Sequence, residues 1–416
     1  MSNLARIFMP DGQVVLPPRA PRTWVDETPG VIGTPLRAPF VQADAGGGVA
    51  WHRQRPLFQG IAAGVQSIPT GTWTAVTGLS ELIDNYAGHS DTSNTGRYFA
   101  PSTNSEEAAG DWYLCSGYVP YNSTDAAHVH VAGFRKNGAG TVLEGGKVPG
   151  GTSHVVDTMA IDLVQMIGLD GDFVELMAFQ NTGGAINTIV SGKTPSLTLR
   201  WVCANTAWAG AATPALPGVP HTWVDSDRAT ATATGTVGGH TLVPLNRELR
   251  DAVNFLNNPP IARLTSQGTS QTIPTGSGTW TSVQFPSESV DNYGGHDNVT
   301  NNTRYTCQRA GLYLVAGCAS ISEGDAASTN NGYRAVRLQQ TFAAGGTTTY
   351  AGWTCLPMTG TGSTGTALWA AGLVRMAAGD YVELQMQQTQ SSGTTTRTVR
   401  NGAGDASKMV VVWMAQ

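Results

Sequence analysis

Apolar and polar residues alternate with a period of two over much of this chain. In Gly311–Ser322, Leu312, Leu314 and Ala316 fall on one face and Tyr313, Val315 and Gly317 on the other. In Asp380–Gln388, Val382, Leu384 and Met386 alternate with Tyr381, Glu383 and Gln385, and Asp172–Phe179 repeats the pattern with Val174, Leu176 and Ala178 inward. Successive side chains of a strand point to opposite faces, so this period predicts half-buried strands. Lys408–Ala415 is apolar almost throughout, which predicts a central or interface-buried strand. A Gly-Asp pair precedes two strands, at Gly171-Asp172 and Gly379-Asp380. Gly supplies a positive φ there and Asp bonds nearby backbone, so a tight turn is expected at each. One stretch has the helical period instead: Leu245, Leu249, Val253 and Leu256 share a face between Pro244 and Pro259, predicting a short helix over 244–258.

These patterns occur twice in the same order. Gln66–Val76 (QSIPTGTWTAV) answers Gln271–Val283 (QTIPTGSGTWTSV), and Ile83–Asp91 (IDNYAGHSD) answers Val290–Asp297 (VDNYGGHD). Further on, Ala109–Gly117 answers Ala310–Gly317, Leu169–Gly183 answers Ala377–Gln390, and Ser196–Cys203 answers Ser407–Ala415. Each copy has an ordinary domain size of about 150 residues. The expected division is an extended N-terminal segment over 1–57, a first domain over 58–206, a linker with its helix over 207–262, and a second domain over 263–416. The first linker, rich in Pro and Gly, reads as an extended strap.

Composition sharpens this reading. Charged residues are only 13% of the chain and Gly numbers 51, which disfavours solvated helices and suits strands and turns. The net charge of -5, with no basic run, excludes a nucleic-acid surface. No stretch reaches a membrane-spanning apolar length, and the start lacks the pattern of a secretion signal. The 5 Cys lack CxxC spacing and read as small buried residues, not a disulfide frame or zinc site.

The glycine–aromatic strand (AGLYLVAG), the later AGDYVEL and the apolar closing strand, present in order twice, resemble the C1q/TNF-like jelly roll. The resemblance covers both copies, and the last strand departs from it by lacking a Phe-Gly-Gly-type ending. It implies tandem β-sandwiches of ten strands that assemble as homotrimers. The segment TWVD…LNRELRDAVNFLNNPP resembles one found upstream of such domains in tail and surface proteins of bacteriophages.

Candidate chemistry is sparse. In the doubled phrase, Asp84, His89 and Asp91 (Asp291, His296 and Asp297 in the second copy) offer an acid–base or metal cluster, with Asp84 and Asp91 as hard-cation ligands. Spacing changes between the copies, from His-Ser-Asp to His-Asp, which suits a structural loop better than a catalytic constellation. His128 and His130 would share a strand face; on a threefold axis such pairs hold a transition metal, and otherwise they are one solvated face. Trp112, Tyr118, Tyr121, Tyr350 and Trp353 are either core residues or ring-stacking contacts for a glycan or receptor, while Trp73 and Trp280 read as core. Thr341–Trp369 reads as a long Gly/Thr recognition loop. Glu106, Glu107, Glu175 and Glu383 are the acids a glycan hydrolase would need, but two of them recur within a repeated strand.

The expectation is therefore a non-enzymatic virion protein without an obligate cofactor: a minor tail, tail-tip or fibre protein, assembled in the host cytoplasm. It would meet other virion proteins through its N-terminal segment and a host surface glycan or protein through its domains, with the helix at Leu245, Leu249, Val253 and Leu256 assisting assembly. A capsid decoration or head-fibre protein is the alternative, and a glycan hydrolase a third reading.

Overall fold

The computed structural model describes residues 7–8, 14–15, 55–101, 110–123, 128–149, 156–168, 171–203, 255, 258–268, 270–276, 279–321, 332–345, 348–358, 366–389 and 396–415. Near the N-terminus, β1 (Ile7–Phe8) pairs with β2 (Val14–Val15). The first copy contains β3 (Leu57–Ala62), β4 (Ser67–Ile68), β5 (Thr74–Ala75), β6 (Leu79–Asp84), β7 (Arg97–Phe99), β8 (Asp111–Tyr121), β9 (Val129–Lys136), β10 (Leu143–Pro149), β11 (Val156–Met166), β12 (Phe173–Gln180), β13 (Ile186–Asn187) and β14 (Ser196–Cys203). The second contains β15 (Ile261–Thr265), β16 (Thr272–Pro274), β17 (Thr281–Ser282), β18 (Ser287–Asp291), β19 (Arg304–Thr306), β20 (Gly311–Ile321), β21 (Gly332–Thr341), β22 (Thr348–Met358), β23 (Thr366–Met376), β24 (Tyr381–Gln388), β25 (Thr396–Thr398) and β26 (Lys408–Ala415).

Both copies are antiparallel jelly rolls with the same strand order. An inner sheet runs β11-β8-β14-β3-β6 in the first and β23-β20-β26-β15-β18 in the second. An outer sheet runs β10-β9-β12, with β5 and β7 both on the far side of β12; its counterpart is β22-β21-β24 with β17 and β19. The alternating residues fill the space between the sheets. Phe58, Tyr113, Phe134, Val174, Leu176 and Leu199 make the first core, and Leu264, Tyr313, Leu338, Val382, Leu384 and Val411 the second. A glycine at matching points of β8 and β20 lets the sheets approach. A Cβ on Gly117 would lie 2.4 Å from Leu176 Cδ1, and one on Gly317 2.7 Å from Leu384 Cδ1.

Several elements differ from their sequence expectations. Thr341–Trp369 is mostly strand, contributing all of β22 and the start of β23. Its Thr residues are β-branched and suit an edge strand, where Gly352 takes φ 68° against the backbone of Ala371. Trp73 and Trp280 are half-buried outside both cores. Each stands three residues before a core valine, Val76 or Val283, and odd spacing in a strand puts side chains on opposite faces. The strap and most of the helix lie outside the described residues, including Leu245, Leu249, Val253 and Leu256. Phe255 is helical and fully buried, its ring edge-on to Trp413 at 4.8 Å. The second sandwich starts at Ile261, inside the stretch read as linker, because the chain enters β15 directly after Pro259-Pro260.

The two jelly rolls meet edge to face. The β10/β11 edge of the first lies on the outward face of the inner sheet of the second, and β10 joins β23 at Lys147 and Ala367. Trp112, Leu163 and Val202 pack there with Ile261, Val410 and Val412. Asp162, fully buried, accepts from Arg263 Nε at 2.6 Å, Arg263 Nη2 at 3.1 Å and Lys408 Nζ at 2.8 Å. Burial would raise the Asp162 carboxyl, but the two cations outweigh it and hold it well below the usual carboxylate range. All five Cys are free thiols, with Cys115, Cys203, Cys307 and Cys318 buried and Cys355 half-buried.

Candidate functional site

The doubled phrase builds the same loop twice. Asp84 accepts from Tyr86 N at 3.1 Å and His89 N at 2.8 Å; Asp291 accepts from Tyr293 N at 3.3 Å and His296 N at 2.7 Å. Asn85 ties the loop to the first strand, accepting from Leu57 N at 2.8 Å and donating to Arg55 O at 2.7 Å. Asn292 does likewise with Ile261 N at 2.8 Å and Pro259 O at 2.7 Å. The His89 ring spans two backbone carbonyls, Nδ1 at 2.8 Å from Arg97 O and Nε2 at 2.9 Å from Leu79 O. His296 repeats this with Arg304 O at 2.8 Å and Phe285 O at 2.7 Å.

Among the described residues, the ligand-type cluster at this loop includes Asp91 but not Asp84. Glu81, His89 and Asp91 are the residues that bring one ligand-type atom each within 4.8 Å. His89 Nε2 is 3.5 Å from Asp91 Oδ1 but faces Leu79 O more closely, and Asp91 Oδ1 also accepts from Glu81 N at 3.2 Å. Burial first, then the neighbouring Asp84 and Asp91, raise the Glu81 carboxyl. In the second copy Asp297 turns away, accepting from Val299 N at 2.8 Å and Thr300 N at 2.9 Å. Elsewhere, His130 is fully buried with its ring 5.0 Å from Tyr121, and His128 lies half-buried just before β9, so the pair is not one solvated face. His130 points inward because the ladder sets it opposite Gln180, another buried position.

The aromatic candidates separate by burial. Trp112 belongs to the contact between jelly rolls. Tyr121 is a core residue whose hydroxyl donates to Val131 O at 2.7 Å and accepts from Phe179 N at 3.1 Å. Tyr118 is half-buried and donates to Asp157 at 2.7 Å. Tyr350 and Trp353 are exposed, at 58% and 66%. They stand on the outward face of the outer sheet of the second jelly roll, with Trp353 opposite Arg337 in the ladder. The Arg337 guanidinium lies 4.0 Å from the Trp280 ring and 4.0 Å from the Tyr350 ring, and its Nε donates to Gln385 at 2.9 Å. Trp280, Arg337, Tyr350 and Trp353 thus form an aromatic surface around a held cation. Arg337 and Trp280 were missing from the sequence candidates. The available signal was the outward position of Arg337 between Val336 and Leu338. In the first copy the ladder puts Gly133 at the Arg337 position, so that copy has no such surface.

Two of the four acids are held by neighbouring side chains. Glu175 is buried between Arg97, 3.0 Å away, and Arg135, 2.9 Å away. Glu383 accepts from Thr303 Oγ1 at 2.6 Å. Glu106 and Glu107 lie outside the described residues.

No family model and no curated protein sequence matches the chain. Solved structures resemble one jelly roll of it. The globular domain of zebrafish complement 1qA protein is 15% identical, matching 38% of this chain and 98% of its own, with a TM-score of 0.27. Murine APRIL at pH 5.0 is 10% identical over 37% and 98% of the two chains, with a TM-score of 0.28. The Eiger TNF of S. frugiperda is 14% identical over 38% and 94%, with a TM-score of 0.27.

Proposed function

We propose that this chain is a non-enzymatic bacteriophage virion protein, a minor tail, tail-tip or fibre component assembling as a homotrimer. Its second jelly roll binds a host-surface glycan on the Trp280–Arg337–Tyr350–Trp353 surface, and its N-terminal segment attaches it to other virion proteins. The observation that carries the binding role is that aromatic surface. Large rings left in water on a rigid sheet are costly unless something covers them, and sugar rings stack on such faces. The low charge, the tandem sandwiches and the phage-like linker support the virion setting.

The binding role is tested by glycan-array and host-cell adsorption measurements. Trp353→Ala should weaken binding by about 2 kcal/mol, some thirtyfold, with the melting temperature unchanged. Equal binding by the variant refutes this surface. Immunogold labelling of particles tests the location: label on the tail supports the proposal, and label on the capsid replaces it with a decoration role. A solution mass other than three chains refutes the trimer.

A further inference from the structure

Among the described residues, the outward face of the outer sheet of the second jelly roll carries two arginines, Arg304 and Arg337, and one carboxylate, Glu383. The first jelly roll arranges its charges differently. There Arg97 and Arg135 both pair with Glu175, at 3.0 Å and 2.9 Å. The ladders locate the difference. Arg135 stands opposite Glu175, and the next outward position, Gly133, stands opposite Met177. In the second copy Gln339 stands opposite Glu383, and Arg337 stands opposite Gln385. The cation is thus set one outward position further along, about 6.7 Å of strand rise away from the acid. Glu383 accepts from Thr303 Oγ1 instead, at 2.6 Å, and Arg304 stacks on the Tyr381 ring at 4.5 Å. Among the described residues, no carboxylate pairs with Arg337.

Arg337 is nonetheless partly withdrawn from water. The Trp280 and Tyr350 rings each lie 4.0 Å from its guanidinium, and Gln385 takes its Nε–H at 2.9 Å. Burial lowers the Arg337 guanidinium, and Tyr350 is the neighbour that opposes this. At Arg263 burial acts in the same direction, but Asp162 outweighs it. A cation held against apolar rings with no counter-charge gains more from an incoming anion than a fully hydrated one does. A guanidinium is a planar fork that fits a carboxylate through two parallel N–H bonds, and the terminal N–H groups of Arg337 are not tied to an acid. Trp353, 66% exposed, stands opposite Arg337 in the ladder. Side chains so placed start about 5 Å apart, so a ring stacked on Trp353 presents its substituents to the guanidinium.

We propose that this surface takes an acidic sugar, whose ring stacks on Trp353 and whose carboxylate pairs with Arg337. This rests on the reading of the surface as a glycan site and adds the chemical class of the sugar. Titration of the full chain with a defined panel tests it. The panel holds uronate- and sialate-bearing oligosaccharides, the same compounds with each carboxyl reduced to the alcohol, and sulfated counterparts. Wild type should bind the carboxylate forms at least about tenfold more tightly than the reduced ones. That preference should shrink in high salt. Arg337→Gln should bring the two forms to equal affinity, and Arg337→Lys should keep part of the preference. Trp353→Ala should weaken both forms and keep their ratio, and far-UV spectra should be unchanged throughout. Equal binding of acidic and reduced forms by wild type overturns the proposal and leaves the glycan site standing. So does tighter binding of the sulfated forms, or a preference that survives Arg337→Gln. Binding to no member of the panel overturns both readings.

Discussion

At the residue scale, the least expected feature is a histidine used as a double tie. Both nitrogens of His89 and of His296 face backbone carbonyls, which only accept hydrogen bonds. The ring thereby joins the loop of the doubled phrase to two other segments, Leu79 and Arg97 in one copy and Phe285 and Arg304 in the other. This explains why His recurs with Asp84 and Asp291, since the same Asp fixes the His backbone N–H. Replacing His296 with Leu keeps apolar bulk but removes the ring N–H, of which a neutral imidazole offers one, that a backbone carbonyl accepts from. The expected loss is about 1–3 kcal/mol, read from urea denaturation of the full chain. His89→Leu should cost a similar amount, and an effect in only one copy would contradict the shared role. The repeated Asp-Asn-Tyr words were legible as a turn, because Asp and Asn bond nearby backbone. The carbonyls that His meets were not, since they come from neighbouring segments whose approach is set by the fold.

At the element scale, strand faces were readable wherever alternation was clean. Val382, Leu384 and Met386 are buried as their period requires, and so are Val174, Leu176 and Ala178. The Gly-Asp turns were also readable. Gly171 and Gly379 have φ of 69° and 92°, and Asp172 and Asp380 accept from Ile167 N at 2.7 Å and Ala377 N at 2.8 Å. Gly379→Ala should therefore destabilise by about 1–2 kcal/mol, through left-handed strain in a side-chain-bearing residue. Gly64, with an ordinary φ and nothing nearby, is the control: Gly64→Ala should be neutral or slightly stabilising in the same thermal melts. What failed at this scale were elements whose composition imitates loops. β22 opens on two Thr and carries Gly352, yet an edge strand needs only one ladder partner and tolerates both. Trp73 and Trp280 failed for another reason. Bulk suggests burial, but each Trp stands just before a two-residue strand whose core contact is made by the valine just after it.

At the scale of the whole molecule, two cores are joined through one buried ion cluster that no local pattern announces. Asp162 lies 101 positions from Arg263 and 246 from Lys408, and its counterpart in the second copy is Gly372. The cluster makes the contact specific as well as stable, since the wrong edge would leave two buried cations unpaired. Asp162→Ala should cost about 3–5 kcal/mol, much of it from Arg263 and Lys408 left without a counter-charge. Because the loss falls on the contact between jelly rolls, calorimetry should show one unfolding transition splitting into two. The pH dependence has a definite sign. The folded Asp162 carboxyl is held below its unfolded value of about 3.9. Its contribution is complete above that pH and declines as the pH falls below it, so acid should separate the jelly rolls before it melts either core. Replacing Asp162, Arg263 and Lys408 together by Met, Leu and Met removes the charges on both sides. That variant should recover most of the lost stability and lose the acid sensitivity, because apolar side chains of similar volume then fill the contact and no charge is left buried without a partner. If the triple variant stays as weak as Asp162→Ala, shape at this contact matters more than charge.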